Sequence, residues 1–445
     1  MRVSVIGTGY VGLVSGVCLA EKGHEVVCVD SDASKVDSIC RGIPPIFERD
    51  LEPLLQKHIG GRLRPTTDLR RAVLDTELSL IAVGTPFSGS EIDLRFIREV
   101  ARQVGEALRD KAGCHVVVVK STVVPGTTEN TVLPILEEAS GKKAGRDFGV
   151  GMNPEFLTEG EAVHDFMNPD RIVLGGIDER SVEKLGELYA GFEGVPVIRT
   201  NPRTAEMIKY ASNALLATMI SFSNELANLG AALGGIDTLD VMRGVHLSNY
   251  LSLPMPDGSR KMPGIVSFLA AGCGFGGSCL PKDVKAIVAH GRKAGQPMQL
   301  LDSVIQVNES QPERIVALLK KQHPSLAGVR VSVLGLSFRP DTNDMRESPA
   351  IPILRKLAEQ GARLKAYDPA AREEARQLFR DGSVRICDDL TETLRDTDAV
   401  VLVTRWEEFR RVPEMLRLHS PQALFVDGRR MLDKTTFARY EGIGL

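Results

Sequence analysis

"RVSVIGTGYVGLVSGVCLAEKGHEVVCVD", residues 2–30, decides the fold. It opens on a short β-branched strand, RVSVIG, and turns through glycines into a helical stretch that stops at Gly23. It closes on a second apolar strand, HEVVCVD, ending at Asp30. Strand, glycine turn, helix and strand make one βαβ unit. Further strand-like runs follow at 78–84 (LSLIAVG), 115–122 (HVVVVKST) and 147–155 (DFGVGMNPE), with helical segments between them. Strands that alternate with helices predict an α/β fold with a parallel, doubly wound sheet.

The sequence then repeats itself. VSVIG (3–7) returns as VSVLG (331–335), and LAEKGHEVVCVD (19–30) returns as LAEQGARLKAYD (357–368). The second copy carries about ten more residues, inserted around the βα turn where such folds bind ligands. Between the copies, Thr204 to about Leu233 reads as one long helix. Its apolar residues Ile208, Leu215, Met219, Phe222, Leu226, Leu229 and Leu233 recur at helical spacing. A stripe that long exceeds what one face needs for a local core, so it predicts a spine and a homodimer interface. The expected architecture is two Rossmann-like doubly wound domains joined by a long central helix. Its expected parts are residues 1–200, then 201–305, central and helical, and 306–445.

Composition narrows the function. A net charge of −3 gives no basic footprint, which argues against nucleic acid as a partner. The seven cysteines include no CxxC, and the nearest two, Cys273 and Cys279, are six apart, so neither a zinc site nor a disulfide framework is expected. A strand at the very start leaves no room for a signal peptide, and Ala214–Phe222 is too short an apolar run to span a bilayer. The expectation is a cytoplasmic protein without a metal or a membrane partner.

Gly7-Thr8-Gly9-Tyr10-Val11-Gly12 is a GxGxxG set between a strand and a helix, with Asp30 at the end of the next strand. Gly7 permits the turn, Gly9 lets a pyrophosphate approach the backbone, and Gly12 allows close helix–strand packing. The pyrophosphate sits on the helix N-terminus. Asp30 accepts from ribose hydroxyls and repels a 2′-phosphate, so the cofactor is NAD rather than NADP. The second copy has GLSFRPDTNDMRESP in place of these glycines, which argues against a second dinucleotide. Its Arg339 and Arg346 suit a different phosphorylated ligand.

GFGGSCLPKD (274–283) places Cys279 after a glycine-rich approach and at the start of a helix, with Pro281 suited to the first helical position. The helix dipole and Lys282 favour a thiolate there. Lys209 and Asn213 stand one turn apart on the long helix. In NPEFLTEGEA, Glu155 and Glu159 stand four apart on a short turn that Asn153 could cap and Pro154 could start. An amine, an amide and carboxylates around a thiol suit oxidation of a carbonyl through a thioester.

These motifs, with VGTP (83–86), STVVPGTT (121–128), NPEFLTEGEAVHDFMNPDRIVLGG (153–176), AEMIKYASNALLA (205–217) and FRPDTNDMRESPA (338–350), occur in order over nearly the whole chain. The set resembles the UDP-glucose/GDP-mannose dehydrogenase family, whose members oxidise the C6 alcohol of a nucleotide sugar to a carboxylate. NPDRIVLGG looks more like the UDP-glucose branch, which implies conversion of UDP-glucose to UDP-glucuronate; GDP-mannose and other UDP-hexoses are the near alternatives. A decarboxylating dehydrogenase shares the domain plan without needing Cys279, and a non-catalytic NAD-binding protein is the alternative of another class.

The resemblance implies Cys279 as nucleophile, Lys209 and Asn213 at the oxyanion, and Asp283 with water as proton acceptor. It implies Thr122, Glu155 and Glu159 in thioester hydrolysis. Cofactor contacts carry over to Gly7, Gly9, Tyr10, Val11, Gly12, Asp30, Lys35, Thr85, Thr122 and Arg346. Substrate contacts carry over to Glu155, Phe156, Leu157, Lys209, Asn213, Phe275, Gly276, Phe338, Arg339 and Arg429. Two features depart from the family pattern. Arg339 stands where lysine is usual, and the segment 246–273 is longer than usual and lacks the familiar Pro-Gly before the cysteine loop.

Overall fold

The valine- and leucine-rich runs form strands because each is buried on both faces. In the computed structural model, which describes residues 1–445, every residue of β4 (Leu78–Ile81) and β5 (Val116–Val119) is buried. They belong to an eight-stranded sheet with β1 (Arg2–Ile6), β2 (Glu25–Val29), β3 (Leu63–Thr66), β6 (Gly149–Met152), β7 (Ile172–Gly176) and β8 (Val197–Thr200), in the order β3-β2-β1-β4-β5-β6-β7-β8. Side chains alternate between faces. Val116 and Val118 join Val3 and Val5 in one core with Leu13, Val14 and Val17 of the Tyr10–Glu21 helix. Val117 and Val119 enter the other core, against Ile97, Ala101, Val104 and Leu108 of the Arg95–Arg109 helix. Truncating a fully buried residue such as Leu13 to alanine costs about 2–5 kcal/mol.

The sheet departs from the expected pattern at one place. β6 and β7 pair antiparallel, with Gly151 opposite Gly176, so β7 and its parallel neighbour β8 run against the rest. The run IVLGG is apolar in either direction, and strand direction is set by where its connection enters the sheet.

The structure divides into two compact units, residues 1–212 and 213–445, and the division falls inside one uninterrupted helix, Pro202–Leu233. The second unit holds a small hairpin of β9 (Leu253–Pro254) and β10 (Arg260–Lys261), in the segment 246–273. It also holds a six-stranded, wholly parallel sheet of β11 (Arg330–Leu334), β12 (Arg363–Tyr367), β13 (Val384–Ile386), β14 (Ala399–Leu402), β15 (Leu424–Asp427) and β16 (Tyr440–Gly442). Its order, β13-β12-β11-β14-β15-β16, starts with the arrangement β3-β2-β1-β4 of the first sheet, as the internal repeat requires. On the long helix, Leu215, Phe222, Leu229 and Leu233 remain exposed. No helix is long and apolar enough to cross a membrane.

Candidate active site

The glycine turn in the first unit leaves open space before Gly9. Gly7 has φ +100°, and a Cβ there would lie 2.7 Å from the Ala82 carbonyl oxygen. A Cβ on Gly12 would fall 1.8 Å from the Gly7 carbonyl oxygen, so that glycine is fixed by backbone packing. A Cβ on Gly9 would meet nothing within 4 Å. Gly9 is also the N-cap of the Tyr10–Glu21 helix, and no side chain caps it. The uncapped N–H groups and the space before them fit a pyrophosphate.

Asp30 lies beside this turn and accepts from the Thr8 amide (2.8 Å), the Thr8 hydroxyl (2.7 Å) and the Asp32 amide (3.0 Å). Burial pushes its carboxyl up, but those bonds outweigh it and hold the group below the usual range. Two oxygens with three donors keep capacity for ribose hydroxyls. Lys35 stands 4.0 Å from the same carboxylate. Thr85 donates to the Thr122 carbonyl at 2.8 Å, which fixes the two loops that follow β4 and β5.

The matching acid of the second repeat is sealed. Asp368 is fully buried and accepts six hydrogen bonds: from the Leu336 and Ser337 amides, the Ser337 hydroxyl, the Ala370 and Ala371 amides and the Trp406 indole. Its own polypeptide occupies the acceptor sites a ribose needs.

A second polar cluster of the first unit forms after β6. Glu155 does not sit on a capped helical turn, as the sequence predicts; residues 153–158 are irregular. The Asn153 amide turns inward, accepting from Lys120 Nζ at 2.9 Å and donating to the Val173 carbonyl. Long-range partners thus take the side chain that would have capped the turn. Glu155 Oε2 accepts from the Leu157 amide at 2.7 Å, and Oε1 meets Lys209 Nζ at 3.0 Å, both side chains being buried. Burial pushes the Glu155 carboxyl up, but Lys209 opposes it most, and the group ends below the usual range. Phe156 carries the Arg171 guanidinium 3.8 Å above its ring, with Lys209 Nζ at 5.6 Å. Glu159 lies in the next turn, which Glu48 pins by accepting from the Gly160 (2.8 Å) and Ala162 (2.9 Å) amides; the Tyr10 hydroxyl joins the same carboxylate.

In the second unit, Cys279 is half-buried and is the N-cap of the helix Leu280–Lys293, which places Pro281 second rather than first. Its sulfur stands 3.7 Å from the Ser278 hydroxyl oxygen. The glycines before it are required by what presses on them. A Cβ on Gly276 would lie 2.3 Å from the Glu347 carbonyl oxygen, and one on Gly277, at φ +87°, would lie 2.7 Å from the Phe338 ring. The Gly277 amide also donates to the Arg346 carbonyl at 2.9 Å. Phe275 is clamped at both backbone groups by Asn308, at 2.8 and 3.0 Å.

One turn past the cysteine, Asp283 is buried and accepts from Asn213 Nδ2 and Lys282 Nζ, each at 2.6 Å. Lys282, expected to favour the thiolate, donates to Asp283, and the helix N-terminus brings its own positive end to the thiol. Arg346 is held bidentately by Asp344, at 2.6 to 2.9 Å. Arg429 Nε donates to the Val403 carbonyl at 2.6 Å, while Arg405 donates to the Arg429 carbonyl at 3.1 Å.

Sequence reasoning missed Lys120, Glu48, Asn308 and Glu206. Glu206 is buried on the long helix and accepts from Gly126 N (2.5 Å), Thr128 N (2.8 Å) and the Thr128 hydroxyl (2.7 Å). Burial pushes its carboxyl up to about 7, against those bonds. Lys120, directly after the valine run 116–119, was the one of these with a signal in the sequence.

Family models match three consecutive parts of the chain. They are the NAD binding domain of the UDP-glucose/GDP-mannose dehydrogenase family over residues 1–193, its central domain over 203–310 and its UDP binding domain over 332–434. The chain belongs to this family. A UDP-glucose 6-dehydrogenase of Haloferax volcanii is 41% identical, with 100% of each chain covered. A GDP-mannose 6-dehydrogenase of Azotobacter vinelandii is also 41% identical, covering 90% of this chain and 91% of its own. The solved structure of a UDP-glucose dehydrogenase from Pyrobaculum islandicum superposes with a TM-score of 0.90 at 39% identity, covering 100% of this chain and 97% of that one. Family membership supports an NAD-dependent nucleotide-sugar 6-dehydrogenase activity, and the open Gly9 cradle beside Asp30 fits that cofactor.

Proposed function

We propose that this chain oxidises the C6 hydroxyl of UDP-glucose to a carboxylate in two steps, giving UDP-glucuronate, and that Cys279 carries the second step. Residues 1–200 bind NAD, 306–445 hold the substrate's nucleotide, and the long helix in 201–305 pairs two chains as a homodimer. The observation that carries the mechanism is the placement of Cys279 as N-cap, with a buried Asp283–Asn213 pair one turn behind it. The full-length match to the Haloferax volcanii relative and the superposition on the Pyrobaculum islandicum structure support UDP-glucose as the substrate.

An alcohol becomes a carboxylate by losing four electrons, so two hydrides leave. The Gly7–Gly12 turn and Asp30 would hold NAD, which would supply the hydride acceptor for each oxidation. In the first, Asp283 with a water takes the hydroxyl proton as the aldehyde forms. The Cys279 thiolate then adds to the aldehyde carbon and forms a C–S bond. Lys209 and Asn213 stabilise the resulting thiohemiacetal oxyanion. Loss of the second hydride leaves a thioester. Water attacks it with help from Thr122, Glu155 and Glu159, the C–S bond breaks, and the thiolate is restored.

Turnover on a panel of UDP- and GDP-sugars, counting NADH against acid, tests this reading. Two NADH per acid are expected from wild type. Cys279→Ala should make no acid by this route, with weak first oxidation remaining. Cys273→Ala should stay active, because that thiol is fully buried against the Val403 carbonyl and burial pushes its pKa up. Acid formed by Cys279→Ala at the wild-type rate would show the thiol to be structural, and turnover of GDP-mannose alone would move the substrate to the other branch.

A further inference from the structure

Lys120 ends the buried run of β5, and the mechanism above gives it no role. It is only 3% exposed. Its Nζ donates to Asn153 Oδ1 at 2.9 Å and to the Tyr189 hydroxyl at 3.4 Å, both neutral partners, and lies 5.8 Å from the Phe166 ring. It lines a cavity of 250 Å³ together with Glu155, Phe156 and Arg171. The charged groups facing it are Glu155, after β6, and Lys209, on the long helix; Asp165, Asp170 and Arg171 stand elsewhere on the cavity wall. Glu155 is already in contact with Lys209 at 3.0 Å. Two buried ammonium groups therefore stand near one carboxylate, with Lys209 in contact with it and Lys120 on the same cavity wall.

Burying an ammonium whose hydrogen-bond partners are neutral is costly, and a methionine of similar length would fill the space without that cost. Burial pushes Lys120 down to about 8, with Glu155 opposing and Lys209 reinforcing the shift. Retention of the charge therefore calls for a use.

We propose that Lys120 is a positioning residue that gives the Lys120–Glu155–Lys209 cluster a net charge of +1, so that Glu155 does not cancel Lys209 as a stabiliser of the oxyanion at the substrate's C6. The inference rests on the proposed function. Without Lys120, Glu155 and Lys209 form a neutral pair, and a negative charge developing at Lys209 meets the uncompensated repulsion of Glu155. With Lys120 charged, adding one negative charge brings the buried cluster to neutrality. That is electrostatic preorganisation for a single anion.

The experiment compares wild type, Lys120→Met and Lys120→Arg for kcat and KM on the nucleotide sugar across pH 6.5–10, with melting curves for each. Lys120→Met should lower kcat by about tenfold or more and leave KM within about threefold, since the charge acts on the transition state and not on ground-state binding. In wild type, kcat should fall as pH rises through the Lys120 ionisation. Lys120→Arg, which stays protonated, should keep most of kcat and move that alkaline limb up by at least about one pH unit.

A folded Lys120→Met variant with wild-type kcat and pH profile overturns the inference. So does a Lys120→Arg variant whose alkaline limb is unmoved, and this outcome decides alone if the methionine variant does not fold. Wild type that yields no NADH with any nucleotide sugar overturns the functional reading and this inference together. An active wild type with unaffected variants overturns the inference alone.

Discussion

Replacing Gly9 and Gly12 separately by alanine isolates the two tasks of the NAD fingerprint. At Gly9, φ −69° and ψ −170° are open to any residue, and a Cβ meets nothing within 4 Å. The apo protein should lose about 1 kcal/mol at most, the usual difference between glycine and alanine at an N-cap. At Gly12 the added Cβ falls 1.8 Å from the Gly7 carbonyl oxygen and 3.2 Å from the Ala82 Cβ. The atom it meets is backbone and not the end of a flexible side chain, so relief requires the turn itself to move. Forcing a methyl into such a site costs about 1–3 kcal/mol or more.

NAD reverses the ranking. At 100 times its Kd a ligand stabilises by about 2.7 kcal/mol; a methyl in the pyrophosphate cradle that weakens binding about thirtyfold leaves about 0.9 kcal/mol. Denaturant melts of wild type and both variants, with and without NAD, together with direct NAD titration, measure all of these terms. Gly9→Ala should melt close to wild type alone and lose about two-thirds of the NAD-induced gain. Gly12→Ala should be destabilised before any ligand is added. A Gly9→Ala variant with the full NAD gain would refute the reasoning, and so would a Gly12→Ala variant as stable as wild type.

Wild type should prefer NAD to NADP, and Asp30→Ala should narrow that preference in kcat/KM, since it removes the carboxylate and leaves Lys35 nearby; equal use of both cofactors by wild type contradicts the role given to Asp30. Ala substitutions at Arg339 and Arg429 should raise KM for the nucleotide sugar and leave NAD affinity nearly unchanged, whereas a comparable loss of NAD affinity puts these arginines in the wrong site. Light scattering should give a dimer at micromolar concentration, and Phe222→Asp with Leu229→Asp should weaken it, because both side chains are exposed on the long helix. A wild type that is monomeric and fully active under those conditions contradicts a helix-mediated dimer.

The sequence alone determined whatever rests on local periodicity and on glycine stereochemistry. The first βαβ unit, its repeat at 331–368 and the long helix are all written in short β-branched apolar runs or in the 3.6-residue period of a helix. The roles of Gly7, Gly9 and Gly12 follow from a motif only six residues long. The reversal at β6 and β7 was not legible, because direction depends on the path between the strands. Neither was the irregular run after β6. Asn-Pro-x-x looks locally like a capped turn, but Lys120 and the Val173 carbonyl, remote in sequence, claim the Asn153 amide.

Asp30 and Asp368 show the division most directly. They occupy equivalent places in the two repeats, yet three donors leave the first with acceptor capacity and six close the second. Lys120 is of the same kind. In the sequence it is a lysine at the end of a valine strand, and only the approach of Asn153, Tyr189 and Phe166 from other elements makes it a buried charge. Charge and hydrogen-bond saturation depend on neighbours that tertiary packing brings together, whereas helix and strand pattern depends on neighbours along the chain.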